Sequence, residues 1–293
     1  MIMVGGTCMK RKYLQFIQES MTTAGYTFFE IDHGLIYQVV KDSKAFIMYQ
    51  IDVGLNNATS FRASRSKAGT YQIMNFARIS AVRHDLLVNP GHHSLSLYKE
   101  HTPNVMQEAL NTFSSFGGKA VIKQDDGSAG SNVILVQNEQ ELIAGCEELF
   151  AAGHNIAISP FFDAPLEYRV VVLDGQVKLV FAKERVSSWR HNLTGGGAQV
   201  KEDIDTETLV HLEPLAVAAA KQIGLTFCAI DILHTASNEL LVLEINSTFA
   251  LEKFIEHNDL RKAKVAQLYK EAFELRFSTM PQDIDPFAMP LTI

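Results

Sequence analysis

The chain has 293 residues, enough for several packed layers and too many for a small scaffold held by disulfides. Hydrophobic residues make up 47% and charged residues 20%, which excludes a disordered chain and suits a globular enzyme. A net charge of −7 and a pI near 5.8 argue against general binding to nucleic acid or a membrane surface, since neither polyanion is drawn to such a protein.

Three cysteines, Cys8, Cys146 and Cys228, are odd in number and show no C-x-x-C spacing. That pattern predicts a reduced, cytoplasmic protein without a disulfide framework. The apolar residues 1–9 are followed, not preceded, by Lys10-Arg11-Lys12, the reverse of a secretory signal. No run approaches the ~18 apolar residues of a membrane-spanning helix.

In chain order, residues 12–25 read as an amphipathic helix with Leu14, Ile17 and Met21 on one face and Gly25 as its stop. Strands are expected at 35–40 and 45–51, joined by Lys41-Asp42-Ser43. Residues 56–60 and 62–67 read as loop, and Tyr71, Met74 and Ala77 suggest a helix. Residues 84–101 form an irregular excursion around Asn89-Pro90-Gly91. A helix follows, with Thr102 as cap, Pro103 first inside it, and Gly117-Gly118 as its end. Strands at 120–123 and 132–136 flank a small-residue loop. The next helix is capped by Asn138, with Glu141 completing a capping box.

Three strands are then expected at 156–162, 167–173 and 176–185, the last two joined by Asp174-Gly175, a strong hairpin signal. A helix at 207–223 stopped by Gly224, a hairpin of strands 227–233 and 239–246, and a helix at 262–277 complete the chain.

Three constellations carry chemistry. Glu244 and Asn246 share one strand face, and a symmetric turn at 235–238 would pair Asp231 with Val242, making Glu244 its diagonal neighbour. Two carboxylates this close repel each other without a compensating cation, and all-oxygen ligands, the carboxamide included, suit Mg²⁺ or Mn²⁺. The bland alternative is the polar face of an exposed hairpin. The second constellation is Lys123 followed by Asp125-Asp126-Gly127-Ser128-Ala129-Gly130-Ser131. Such a loop lets backbone N–H groups approach phosphate oxygens, or it is merely a flexible hairpin loop. The third joins Arg185, Trp189-Arg190-His191-Asn192 and Gly195-Gly196-Gly197, with Arg169 two residues after Glu167. Arginines beside glycines suit a transferred phosphoryl group, or they form a solvated loop.

Taken in order, Ala120-Val121-Ile122-Lys123, Glu167-Tyr168-Arg169, residues 189–198, Asp231-Ile232-Leu233 and Leu243-Glu244-Ile245-Asn246-Ser247 resemble the ATP-grasp superfamily. Within it the chain is similar to ligases of the ribosomal-protein S6 glutamate ligase, cyanophycin synthetase and glutathione synthetase-like groups. The resemblance spans roughly residues 60–260. It implies an α+β (mixed α/β) fold of two lobes clamping ATP, behind a small N-terminal α/β region. The domains expected are 1–62, N-terminal; 63–118, linker and helices; 119–162, the small lobe; and 163–293, the large lobe with the metal site.

The resemblance also implies residue roles. Lys67 and Lys123 would be the nucleotide lysines, and Gly127, Ser128, Ala129, Gly130 and Ser131 the phosphate lid. Ser159, Pro160, Phe161 and Phe162 would read the adenine, with Glu167 on the ribose. Arg169, Arg190 and Asn192 would act near the γ-phosphate, and Asp231, Glu244 and Asn246 would hold Mg²⁺ or Mn²⁺. The implied reaction is carboxylate–amine ligation through an acyl phosphate, on small-molecule or peptide substrates. A homodimer is a common arrangement in the family, and neither nucleic acid nor membrane is expected as partner. A kinase and a non-catalytic nucleotide-binding module are the alternatives. Two departures stand out. Ser159-Pro160 occupies a hinge position that is commonly acidic, and Ser247-Thr248-Phe249-Ala250 replaces the usual Ala/Ser-Pro-Gly.

Overall fold

A computed structural model describes residues 5–91, 104–127, 130–194 and 196–279, with side chains from residue 12 onward. All three sheets are antiparallel, the first a meander of sequence neighbours and the other two with pairings between strands distant in sequence.

The chain opens with α1 (Gly5–Thr23) and a meander of β1 (Thr27–Asp32), β2 (Ile36–Lys41) and β3 (Lys44–Tyr49). Strand β1 was not expected, because Phe28 and Phe29 are adjacent and break the alternation that marks a strand. Residues expected as loop form α2 (Ala58–Arg65), capped by Asn57, whereas the helix expected around Tyr71, Met74 and Ala77 is α3 (Lys67–Phe76), capped by Ser66. The α2 face that turns inward carries Ser60 and Ser64 instead of apolar residues, so hydrophobic periodicity gave no signal there.

The small sheet runs in the order β4 (Asp85–Leu87), β7 (Ile156–Pro160), β5 (Ala120–Gln124) and β6 (Val133–Val136). Its Ile122, Ile158, Ala120 and Leu87 face α4 (Val105–Ser115) and α5 (Glu139–Ala151) in one apolar cluster. Asn138 caps α5 as the sequence suggests, accepting from the Glu141 N–H, while the Glu141 carboxylate reaches back to the Gln137 N–H, one residue before the cap, in place of the Asn138 N–H of a full capping box. Helix α4 is capped by Asn104; Thr102 and Pro103 lie outside the described residues.

The large sheet runs β10 (Ala198–Lys201), β9 (Gln176–Arg185), β8 (Leu166–Leu173), β11 (Phe227–His234) and β12 (Leu240–Asn246). Asp174 and Gly175 both take positive φ (50° and 71°), the geometry of the tight turn expected between β8 and β9. One face, with Tyr168, Val170, Ala182, Ile230 and Ile232, packs on α6 (Thr206–Ile223). Gly224 ends that helix at φ 76°.

The opposite face divides in two. Val171, Leu173, Leu179, Phe181, Phe227 and Ala229 join α1, β2, β3 and α8 (Asp259–Thr279), preceded by the short α7 (Glu252–Ile255), in the largest core. Phe273 of α8 centres this core, with ring centroids 5.1 Å from Tyr26 and 5.4 Å from Phe46. Farther along the same strands the apolar phase gives way to charge. That change marks the candidate site.

Candidate functional site

Side chains directly opposite each other in antiparallel strands share a face. Register therefore assembles the charged patch. Arg169 lies opposite Asp231, Asp231 opposite Glu244, and Glu167 opposite Lys183. The pairing of Asp231 corrects the sequence expectation. The β11–β12 connection is not symmetric: His234 pairs with Leu240, and a bulge between Asp231 and Ile232 moves Glu244 directly across from Asp231 in place of Val242. Asn246 pairs with Ala229 and follows Glu244 on the same face.

Asp231 is 4% exposed, and its carboxylate is saturated by protein cations. Arg169 donates through Nε at 2.9 Å and Nη2 at 2.7 Å, Lys183 Nζ lies 3.0 Å away, and Asn246 Nδ2 donates at 3.3 Å. Burial pushes this carboxyl up, but Arg169 and Lys183 overcome that and hold it well below the usual carboxylate range. Lys183 also pairs with Glu167, which is 7% exposed, and His191 Nδ1 lies 3.6 Å from the other Glu167 oxygen. Burial, reinforced by Lys183 and Arg185 and opposed by Glu167, lowers the His191 pKa.

Lys183 was not singled out from sequence, and His191 was quoted within the residue 189–192 motif but given no role. A signal existed for the lysine: Leu179, Phe181 and Lys183 are in one phase of β9, so a charge falls where two apolar residues turn inward.

The small lobe supplies the other wall. Val121 and Lys123 on β5 lie opposite Ser159 and Ala157 on one side and Leu135 and Val133 on the other. This face is the one not covered by α4 and α5. Lys123 is 6% exposed, and burial, with Lys67 nearby, pulls its pKa down to about 8 against the pull of Glu244, Glu167 and Asp125. Lys67, first residue of α3, donates through Nζ to the carbonyls of Asp125 (3.1 Å) and Gly127 (2.6 Å). It thereby pins the start of the loop after β5. Asp125 Oδ1 accepts from the Ala68 N–H, tying the same loop to the helix start.

The loop after β5 reaches the large lobe. Gly130 has φ 70°, and a methyl group there would collide with the Asn192 amide. Ser131 follows in the same turn, whereas Ser128, Ala129 and Gly195 lie outside the described residues. Arg190 donates through Nη2 to the Val133 carbonyl, and its guanidinium lies over the Trp189 ring at 5.1 Å. These contacts close the loop onto residues 189–192.

Two chain segments join the lobes. At the first, Val82 donates to the Val242 carbonyl just before β4 enters the small sheet. At the second, β7 ends at Pro160 and the chain passes to β8. Ser159 is buried in β7, its Oγ 3.5 Å from the Val121 carbonyl, and the Phe161 N–H lies 3.4 Å from the Lys119 carbonyl. Phe162 packs on Val82, Ala164 and Leu233. A cleft of about 380 Å³ opens here, lined by Leu135, Lys119, Phe161, Asp163, Arg185 and the 186–189 segment. Phe161 and Trp189 meet edge to face at 6.2 Å. Its lining mixes the apolar and aromatic Leu135, Phe161 and Trp189 with the charged Lys119, Asp163 and Arg185.

The family model described as the RimK-like ATP-grasp domain matches residues 80–267. The chain belongs to this family. Among named relatives, a probable alpha-L-glutamate ligase of Marinomonas sp. is 29% identical over 63% of this chain and 62% of its own length. Another probable alpha-L-glutamate ligase, of Psychromonas ingrahamii, is 30% identical over 46% and 44%. The chain thus spans between two fifths and two thirds of the curated relatives it matches. Solved structures share the fold: D-alanine–D-alanine ligase from Bacillus anthracis complexed with ATP (TM-score 0.56, 14% identity, 77% of this chain and 71% of that one). The ATP-grasp ligase PsnB complexed with minimal precursor superposes with TM-score 0.54 at 15% identity, over 87% of this chain and 95% of that one. No helix among the described residues is long and apolar enough to cross a membrane.

The oxygen donors fit a hard divalent cation in kind. Glu244 and the amide oxygen of Asn246 take no hydrogen bond among the described residues, while Asp231 is held by Arg169 and Lys183. Among those residues no group of three or more His, Cys, Asp and Glu converges, so a cation here would also depend on Asn246 and on substrate oxygens.

Proposed function

We propose that this RimK-like ATP-grasp chain is an ATP-dependent carboxylate–amine ligase that joins an amino acid, of the glutamate class, to a second substrate through an acyl phosphate. The observation that carries the reading is the opposition of two buried lysines, Lys67 and Lys123, on one wall to the Asp231–Glu244–Asn246 row on the other. The names of the curated relatives support glutamate as one substrate.

In this reading the base occupies the cleft of Phe161, Trp189 and Leu135, and the phosphates extend toward Lys123. A substrate carboxylate is a poor electrophile. Its oxygen attacks the γ-phosphorus, ADP leaves, and the acyl phosphate then takes the amine and releases phosphate. Such transfers are governed by positioning and charge neutralisation, not by covalent chemistry of the protein. Lys67 and Lys123 neutralise phosphate charge. Arg190 and Asn192 sit where the lid loop meets the large lobe, and Arg169 keeps Asp231 ionised. Magnesium or manganese, held by Glu244 and the Asn246 amide oxygen, and by Asp231 where Arg169 or Lys183 yields it, would supply further neutralisation of the phosphates. No described side chain is assigned as a general base.

The purified chain, given ATP, magnesium and pools of amino acids and short peptides, should release ADP in step with a product whose mass equals acid plus amine minus water. Turnover that persists undiminished in a Glu244→Ala protein would count against the reading.

A further inference from the structure

His84 stands at the first crossing between the lobes and is 1% exposed. It follows Val82, whose N–H bonds to Val242 of the large sheet, and directly precedes β4 of the small sheet. Its Nδ1 lies 2.9 Å from the Val82 carbonyl, an atom that can only accept. The proton is therefore on Nδ1, and the Nε2 lone pair is left without a hydrogen-bond partner. A buried polar atom left in this way calls for an explanation.

Register supplies one. Leu86, two residues after His84, lies in a row through Ala157 to Lys123. Alternation along an extended chain then puts His84 on the cleft side of the small sheet, the side of Lys123 and Ser159. Lys123 itself has no hydrogen-bond acceptor among the described residues, whereas Lys67 is satisfied by two carbonyls. An unfilled acceptor and an unfilled donor thus stand on the same buried face.

We propose that His84 is a positioning residue for Lys123, its Nε2 lone pair holding the Lys123 ammonium on the cleft face of the small sheet.

The electrostatics agree. Burial, then Lys123 and Lys67, drive the His84 pKa well below its ordinary value, against the Val82 carbonyl, so the ring stays neutral and Nε2 stays an acceptor. Lys123 is faced by Lys67, which disfavours its charge, and by Glu244, Glu167 and Asp125, which favour it. A lone pair brought within reach of the ammonium would add to the second group.

The contact can be tested without nucleotide, so its failure is separate from failure of the ligase reading; only its functional consequence rests on that reading. In wild-type protein carrying ¹⁵N-histidine and lysine labelled with ¹³C at the ε-carbon, Lys123 (assigned with a Lys123→Arg sample) should titrate near pH 8. The Nε2 resonance of His84 should move with the same midpoint. In His84→Phe the Lys123 midpoint should fall by about one pH unit, the size of one hydrogen bond to a charged group, while His84→Gln, which keeps an acceptor, should stay near wild type. If the nucleotide reading also holds, ATP affinity of His84→Phe should be about fivefold weaker at pH 8 and equal to wild type at pH 6. An Nε2 signal that stays flat through the Lys123 titration would overturn the proposal, even if both variants failed to fold. So would equal displacement of Lys123 in the Phe and Gln proteins, which would mark His84 as packing alone.

Discussion

Replacing Asp231 with asparagine keeps the shape of the side chain and removes its charge. Arg169, at 2.7 and 2.9 Å, and Lys183, at 3.0 Å, would then be two cations facing a neutral amide inside a sheet, with Glu167 left to balance them. Breaking a buried ion pair by removing one partner costs about 3–5 kcal/mol, because the remaining charge stays desolvated. For a protein of this size that loss corresponds to a fall in Tm of about 6–20 °C. Urea unfolding should show a lower midpoint with an unchanged slope, since the surface exposed on unfolding is the same.

The pH dependence follows from the same contacts. Burial raises the Asp231 pKa, Arg169 and Lys183 lower it by more, and the folded value ends below the unfolded one. The unfolded chain therefore takes up the proton first, so this stability is complete above the ordinary carboxylate pKa and is lost as pH falls below it. The asparagine protein should lack that part of the acid limb. A loss under about 1 kcal/mol at pH 7, with an acid limb like that of wild type, would show that the two cations do not depend on Asp231 and refute the reasoning.

Three further outcomes are expected. Gly130→Ala places a side chain at φ 70° and against the Asn192 amide, so lid closure should suffer, and ATP affinity measured by calorimetry should drop about tenfold with little change in Tm. Phe273→Ala empties the aromatic centre of the core between Tyr26, Phe28 and Phe46 and should cost about 3–5 kcal/mol in urea unfolding, with faster amide exchange in β2 and β3. ATP affinity should be level below pH 7 and fall with rising pH above about 8, where Lys123 loses its proton; affinity that holds to pH 9.5 would assign the phosphate contact elsewhere.

The parts of the fold with strong local chemistry were legible in the sequence. Asp174-Gly175, the Asn138 cap and the Gly224 stop each name a local geometry that holds regardless of what packs nearby. Helix α2 and strand β1 were not legible: one buries serines, and the other carries adjacent phenylalanines at a sheet edge. The carboxylate row was readable to within one bulge, since the period of a strand assigns faces, but where a turn slips depends on a loop that periodicity does not describe. Lys183 sat in plain alternation with Leu179 and Phe181. His84 carried no sequence signal, because its placement depends on pairing with β7, seventy-odd residues later.

The central claim, transfer of a phosphoryl group from ATP to a substrate carboxylate, is tested most directly with isotope. Amino acids labelled with ¹⁸O in their carboxylates, glutamate among them, would be incubated with the chain, ATP, magnesium and a peptide pool. Mass spectrometry would then read the phosphate released. One ¹⁸O atom should appear in phosphate for each amide formed, because the oxygen that attacks the γ-phosphorus leaves with it. Amide formed with unlabelled phosphate, or AMP and pyrophosphate in place of ADP and phosphate, would contradict the account.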